Sequence, residues 1–220
     1  MTLEEAILNR HSVRAYKDAP ISAEVRQQLD ACAEECSREG RVHISIHYDD
    51  PEGFDSRLAH YGSFRNVKNY IVLAGIKDGD FDLRCGYWGE KLVLYAQQLG
   101  LNTCWAALTF NKKKVKQLLA PGERLCMVIA LGYGESQGKP HRGKGYGDVT
   151  DAQEAPEWFK SGVEAALLAP TAVNQQKFRF SYDDGQAGLR VKGLGTCLKT
   201  DLGIVKYHFE AVSGHEVKLL

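Results

Sequence analysis

The chain has 220 residues, 28 basic side chains against 28 acidic ones, 44% hydrophobic residues and 25% charged ones. That is a soluble globular composition, long enough to bury a core without a metal or disulfides. A formal net charge of zero gives no long-range pull toward nucleic acid or an anionic membrane, so any anion site must be local. The N-terminal MTLEEAILNR carries acids where a leader would be basic, and the longest apolar runs, near residues 71–74 and 125–131, are too short to span a bilayer. A cytoplasmic protein is expected, with no membrane and no nucleic-acid partner. Its six cysteines are scattered with no CxxC pair. They read as reduced, and Cys32 and Cys36, one helical turn apart, as buried small hydrophobes.

Thr2 and Glu5 form a Thr-x-x-Glu capping box that predicts a short helix through Asn9. Ser22 caps a second helix, in which Val25, Leu29, Cys32 and Cys36 recur at spacings of four, three and four until Gly40 stops it. Residues 43–48 alternate, with Ile44, Ile46 and Tyr48 on one face and His43, Ser45 and His47 on the other, as in a half-buried strand. Residues 70–76 predict a central strand. An amphipathic helix over 87–99 follows, with Trp88, Leu92, Tyr95, Ala96 and Leu99 in one stripe and Gly100 as its cap. Residues 125–131 are continuously apolar, the pattern of a strand buried on both faces.

The next segment, GYGESQGKPHRGKGYGD, is rich in glycine and predicts a loop or extended arm. Helix resumes at Glu157 and stops before Pro170, a strand is expected over 178–182, and Thr200 caps a last helix through Glu210. Strands interleaved with helices give an α/β or α+β class with one sheet. Residues 29–50 also align without gaps to residues 163–184. Both read as helix, turn, alternating strand and Tyr-Asp-Asp, with identities at Ala31 and Ala165, Tyr48 and Tyr182, Asp49 and Asp183, and Asp50 and Asp184. Coincidence and an old duplication are both open. The turn is SREGR in the first copy and PTAVNQQ in the second, so only the second carries polar recognition groups.

Three segments could carry chemistry. Arg10, His11, Ser12, Val13 and Arg14 place two guanidiniums around a hydroxyl, a set that suits a phosphate but equally complements a helix C-terminus. Pro170 to Gln176 is a polar turn in which Asn174, Gln175 and Gln176 offer amides able to read a heterocycle edge; an ordinary solvated loop reads the same way. The arm carries His141, Arg142 and Lys144, either phosphate partners or solvated bases. Gly132-Tyr133-Gly134 is no dinucleotide fingerprint, because no helix follows it to hold a pyrophosphate. His43 and His47 read as solvated, and a Cys104–His208 nucleophile lacks any local signature.

RHSVRAY (10–16), GYWGEKLVLYAQQLGLNTCW (86–105) and APTAVNQQKF (169–178), in this order, resemble the flavin-dependent nitroreductases. With DLGI and HFE between Asp201 and Glu210, the chain resembles most the single-chain, internally duplicated members of that family. The resemblance covers nearly the whole chain. It implies an α+β nitroreductase-like fold, a central mixed β-sheet flanked by helices, in one domain over 1–220. Two half-repeats, approximately 1–150 and 151–220, would imitate the family dimer. One flavin site per chain follows, with a monomeric pseudo-dimer or a homodimer as the assembly.

The resemblance further implies FMN as cofactor and NADH or NADPH as electron donor. Hydride would pass through FMN N5 to a small-molecule acceptor: nitro, quinone or related. Carried over by position, Arg10, His11 and Ser12 would face the phosphate with Arg142 and Lys144 as helpers, and Arg14 would lie near the pyrimidine edge. Ala107 and Leu108 would offer backbone N–H groups to N5, although the Glu-Gly of some relatives is absent there. Pro170, Thr171, Asn174 and Gln176 would approach from the other half. No catalytic side chain is required. Tyr61, Phe64 and Trp105 either line the acceptor pocket or pack in the core. A flavin-binding, storage or sensor protein without turnover, and a flavin-consuming enzyme on the same fold, are the alternatives.

Overall fold

Thr2 caps the first helix with its capping box formed, its hydroxyl accepting from Glu5 N–H at 3.1 Å and the Glu5 carboxylate accepting from Thr2 N–H at 2.8 Å. The computed structural model describes residues 1–140 and 142–220. The elements are α1 (Leu3–Asn9), α2 (Ala23–Gly40), β1 (His43–His47), α3 (Arg57–Tyr61), β2 (Asn69–Gly75), α4 (Phe81–Gln98), β3 (Asn102–Ala106) and α5 (Lys112–Lys116). They continue with β4 (Arg124–Gly132), α6 (Tyr146–Val149), α7 (Glu157–Leu167), β5 (Phe178–Asp183), β6 (Gln186–Val191), α8 (Leu198–Ser213) and β7 (Val217–Leu219).

Most periodic segments lie where their patterns put them, and the departures have physical reasons. Helix α4 starts at Phe81, not Tyr87, because Phe81 and Cys85 are buried and extend its packed face by more than a turn. Gly100, at φ 82°, follows it in the left-handed region, as a residue just past a helix end commonly does. Helix α8 starts after Cys197, itself left-handed, and runs to Ser213. Thr200 is therefore not a cap: its hydroxyl lies 3.6 Å from Cys126 Sγ, inside the helix packing. Strands β6 and β7 had no clear alternation, and pairing with β5 and with each other makes them strands. Helix α6 is a single turn within the glycine-rich arm.

Four strands pair in the order β1-β2-β4-β3, all antiparallel, and β2 is buried along its whole length. Ser12 adds a parallel bridge to Thr103 beside β3, so the N-terminal segment borders the sheet. The strands thus form two sheets where interleaving alone suggested one, because the second, β5-β6-β7, pairs only within itself, antiparallel and then parallel. One core lies between the first sheet and helices α2 and α4, built on Leu29, Ile71, Leu73, Leu92 and Ile129. Another joins α7 and α8 to the second sheet through Phe159, Phe180, Leu189 and Phe209.

Helices α4 and α8 bring these halves together with their backbones almost touching. A Cβ on Gly86 would stand 2.1 Å from the Thr200 carbonyl oxygen and 3.1 Å from Ile204 N. A Cβ on Gly203 would stand 2.0 Å from the Leu83 carbonyl oxygen and 2.8 Å from Tyr87 N. The contact is reciprocal: each glycine rests on the residue three before, and one after, the other glycine. A mid-helix glycine costs about 1 kcal/mol of propensity, and here that cost permits a backbone approach no side chain would allow. Gly86→Ala and Gly203→Ala are each expected to lose at least about 2–3 kcal/mol. Gly147→Ala, with nothing within 4 Å of its Cβ position, should be near neutral; urea unfolding of the three variants checks this.

Candidate functional site

Arg10 ends α1 in an extended conformation, and the chain then runs along β3, with Val13 N–H donating to the Thr103 carbonyl at 3.0 Å. This turns Arg10 inward. It is only 3% exposed, its Nε lies 3.7 Å from Glu90 Oε1, and among the described residues its Nε and Nη1 have no hydrogen-bond partner. Glu90 is wholly buried on α4. Its Oε2 accepts from Trp105 Nε1 at 2.8 Å, and its Oε1 lies 2.9 Å from His208 Nε2. His208 Nδ1 lies 3.1 Å from the Ala165 carbonyl, so both ring nitrogens face acceptors. One carboxylate thus ties α1, α4, β3, α7 and α8 together.

Ser12 and Arg14 point outward, and the Arg14 guanidinium lies 5.9 Å from the Phe64 ring centre. Burial pushes the Cys104 thiol up, while Arg14, the Ser12 hydroxyl and Arg10 pull it down. Ala107 and Leu108 are exposed just beyond the end of β3. Tyr61 is 89% exposed, Phe64 is buried in the core and Trp105 is half-buried against Glu90. Phe64 is thus a packing residue and not part of an open pocket. Cys104 and His208 do not pair, since His208 is taken up by Glu90 and Ala165. His43 bonds Glu123 at 2.8 Å and His47 bonds Ser45 at 3.0 Å, so neither histidine is simply solvated.

The 170–176 turn is a second assembly. It contains a 3-10 turn, Ala172–Asn174, and three non-glycine residues at positive φ: Val173 at 47°, Asn174 at 53° and Gln176 at 42°. For β-branched Val173 this costs on the order of 1–3 kcal/mol, and its side chain is 94% exposed. Gln176 is buried and fully bonded. Its Oε1 accepts from Lys144 N–H at 2.7 Å, its Nε2 donates to the Leu167 carbonyl at 2.9 Å, and its own N–H donates to Thr171 Oγ1 at 3.0 Å. Lys144 Nζ donates to the Gln176 carbonyl at 2.5 Å, and Asn174 Nδ2 donates to the Arg142 carbonyl at 2.8 Å. Arg142, Lys144, Thr171, Asn174 and Gln176 are thus brought together, with Pro170 half-buried at the entry to the turn.

The glycine-rich arm connects the two assemblies. At one end Asn102 holds it by accepting from Gly134 N–H and donating to Gln137 Oε1, both at 2.9 Å. A Cβ on Gly138 would lie 2.7 Å from the His11 Cβ. At the other end lie Arg142 and Lys144 against the turn, and His141, just before Arg142, lies outside the described residues. Six residues of extended chain reach at most about 22 Å, so His11 and Gln176 are held within that span of the arm. A cavity of about 210 Å³ bounded by Tyr16, Lys17, Lys68 and Asn69 contains none of these residues.

Two carboxylates central to the arrangement were not legible from the sequence. Glu90 follows Gly86 and Gly89 on a helix face hidden by α8 and Trp105; the two glycines inside a helical pattern were the available signal. Asp201, 7% exposed in the first turn of α8, receives the Ala172 N–H on both oxygens, at 3.0 and 3.1 Å, and Gln175 Nε2 at 2.7 Å. Burial pushes its carboxyl up to about 6, opposed by the bonds from Gln175 and Ala172.

This fold, with its N-terminal arginine segment and polar turn, defines a class. Over residues 2–213 the chain matches the family described as "Putative TM nitroreductase", and it belongs to that nitroreductase family of oxidoreductases. It is similar to the crystal structure of a "putative nitroreductase" from Thermotoga maritima, at 22% identity and a TM-score of 0.69 over 96% of this chain and 83% of that one. A "putative nitroreductase in complex with FMN" from Desulfovibrio desulfuricans shares 18% identity, with a TM-score of 0.52 over 67% of this chain and 94% of that one. A "Putative NADH Oxidase" from Clostridium acetobutylicum shares 20%, with a TM-score of 0.54 over 67% and 99%. At these identities the structural likenesses establish the fold. No curated protein sequence matches the chain. Among the described residues no helix is long and apolar enough to cross a membrane.

Glu90→Ala would leave Arg10 buried without its counter-charge and should cost about 3–5 kcal/mol, measured by denaturant unfolding. The sign for Asp201 is opposite to that of an ordinary paired carboxylate. Its native proton is held more tightly than in the unfolded chain, so its stabilising contribution is complete below about pH 4 and is lost as pH rises through 6. Relative to Asp201→Asn, the wild type should lose about 2–2.5 kcal/mol between pH 4 and pH 7.

Proposed function

We propose that this oxidoreductase is an FMN-dependent NAD(P)H enzyme that reduces small nitro, quinone or related acceptors. The observation that carries the reading is Arg10, whose buried guanidinium is ion-paired with Glu90 at 3.7 Å but whose Nε and Nη1 have no hydrogen-bond partner among the described residues. Unpaired buried donors are costly, and a phosphate oxygen is the acceptor that a guanidinium fork suits best. The Desulfovibrio relative described with FMN and the Clostridium relative described as an NADH oxidase support the same cofactor and donor.

Arg10 and Ser12 would hold the phosphate, with His11 beside them and Arg142 and Lys144 as helpers from the arm. Arg14 would place a cation near the pyrimidine edge, and the exposed backbone at Ala107 and Leu108 would supply N–H donors. Pro170, Thr171, Asn174 and Gln176 would border the ring and ribityl chain from the other side. Bound FMN supplies the hydride chemistry between nicotinamide and acceptor. Glu90 keeps Arg10 in place without filling its donor set, and the arm keeps water from the Gln176 amide.

We also infer that the chain carries both halves of a site that the family builds from two subunits. With α3, inserted between β1 and β2, set aside, the order α2-β1-β2-α4-β3 is echoed by α7-β5-β6-α8-β7, and the Gly86–Gly203 contact is reciprocal, as an isologous interface would be. Both support half-repeats near 1–150 and 151–220 with one flavin site per chain. In such a chain, a monomer binds the cofactor as well as a dimer does.

Purified protein should show flavin absorbance that anaerobic NADH or NADPH bleaches and that oxygen, a quinone or a nitroaromatic restores. Bands that stay oxidised would instead indicate a binding, storage or sensor protein. A chain that cannot be reconstituted with FMN would refute the flavin reading. Arg10→Ala should raise the Kd for FMN at least about tenfold, the loss of one charged hydrogen-bond partner.

A further inference from the structure

The 170–176 turn holds a conformation its residues do not prefer. Val173, Asn174 and Gln176 all sit at positive φ with side chains beyond Cβ, and Val173 has no packing to compensate, being 94% exposed. Something outside the turn must hold it. The arm does so at Asn174 and Gln176. Beneath the turn the holding group is Asp201, which takes the Ala172 N–H on both oxygens and the Gln175 side-chain N–H on one. Gln175 Nε2 also donates to the Thr196 carbonyl at 2.8 Å, so its amide bridges the turn to the start of α8.

The carboxylate is in an unfavourable place. It is nearly buried, and no charged group among the described residues offsets its desolvation, which is why its proton is held up to about pH 6. The titratable group beside it is Cys197 at the N-cap of α8, and Cys126 from β4 and Asp82 from α4 act on that thiol. Lys199 is turned away, donating to the Gly79 carbonyl at 2.7 Å. From the turn itself only the Ala172 and Gln175 donors face Asp201. A neutral isostere would avoid the desolvation cost, but charged acceptors make hydrogen bonds roughly twice as strong as neutral ones. Such a charge, kept at a cost to stability, suits a group whose task is to fix a functional turn.

We propose that Asp201 is a positioning residue for the cofactor site: its ionised carboxylate clamps Ala172 and Gln175 and so locks the 170–176 turn in its binding conformation. The inference rests on the flavin reading for what the turn binds, but not for the clamp itself. Release of the turn alone strips Asp201 of the two bonds that favour its charge while it stays buried, so, unlike global unfolding, release is favoured by protonation: below pH 6 the clamp is neutral and weaker, the turn relaxes toward negative φ, and the site loses affinity.

Two measurements on the full-length protein separate these parts. The first is amide hydrogen exchange over residues 170–176 between pH 5 and pH 8, corrected for intrinsic rates. Protection of Ala172 should fall about five- to tenfold below pH 6 in the wild type, and it should be low and independent of pH in Asp201→Asn. The second is the Kd for FMN, by fluorescence quenching, over the same range. FMN phosphate itself titrates near pH 6, so the reading is the ratio of wild type to Asp201→Asn. That ratio should favour the wild type about five- to tenfold at pH 7.5 and approach one at pH 5. Should Asp201→Asn fail to fold, Gln175→Met removes one donor while keeping the charge and should give a smaller loss with the pH step retained. Equal protection of Ala172 at pH 5 and pH 7.5, or an Asn variant matching the wild-type FMN profile, would overturn the proposal. Exchange that follows pH while no variant binds FMN at any pH would uphold the clamp and overturn the flavin reading.

Discussion

The close crossing of α4 and α8 is the constraint on which the rest of the molecule depends. Because Gly86 and Gly203 let the two backbones meet, Glu90 on α4 comes within 2.9 Å of His208 on α8. That pair fixes the place where Arg10 and Trp105 can sit. The same crossing sets the start of α8, and with it Asp201, beneath the 170–176 turn. A few tenths of an ångström between the helices would be felt at both ends, since packed interiors transmit displacement rather than absorb it.

Two buried carboxylates then divide the work. Glu90 accepts from Trp105 Nε1, lies 2.9 Å from His208 Nε2 and has the Arg10 guanidinium 3.7 Å away as a counter-charge. Asp201 faces only an amide and a backbone N–H, so its charge is held less comfortably. The first arrangement makes a rigid junction between elements, and removing one partner would strand the others. The second couples a strained surface turn to the helix behind it, with a strength that depends on protonation.

The arm that follows β4 gives the two assemblies a common wall. Glycines at 134 and 138 let it lie flat against Val13 and His11, and its far end closes over the Gln176 amide through Lys144. A glycine-rich stretch poor in apolar residues reads as solvent-exposed loop, yet here it is anchored by side chains that lie far from it in sequence. Asn102, one of those anchors, is buried and satisfies one backbone donor and one side-chain acceptor of the arm.

Local chemistry was legible wherever a pattern repeats or a cap must be filled. Thr2 with Glu5, the Leu29 and Cys36 stripe, the alternation after His43 and the apolar run at 125–131 each determined their own element, because periodicity and capping act over a few residues. The side-chain types of the arginine segment and of the Pro170 turn offered an anion- and ring-binding reading, which the sequence left open beside a helix cap and a solvated loop. Tertiary structure alone decided that Arg10 is buried against Glu90, that Asn174 and Gln176 are engaged by the arm, and that Asp201 holds the turn. Each of these is a contact between residues tens of positions apart, and a hydrogen bond leaves no periodic trace in the chain on either side. The sequence by itself determined the elements whose pattern repeats or whose caps are filled, and which residue types could bind an anion or a ring; pairing made strands of β6 and β7, and the crossing of two glycine-bearing helices decided where the binding candidates stand.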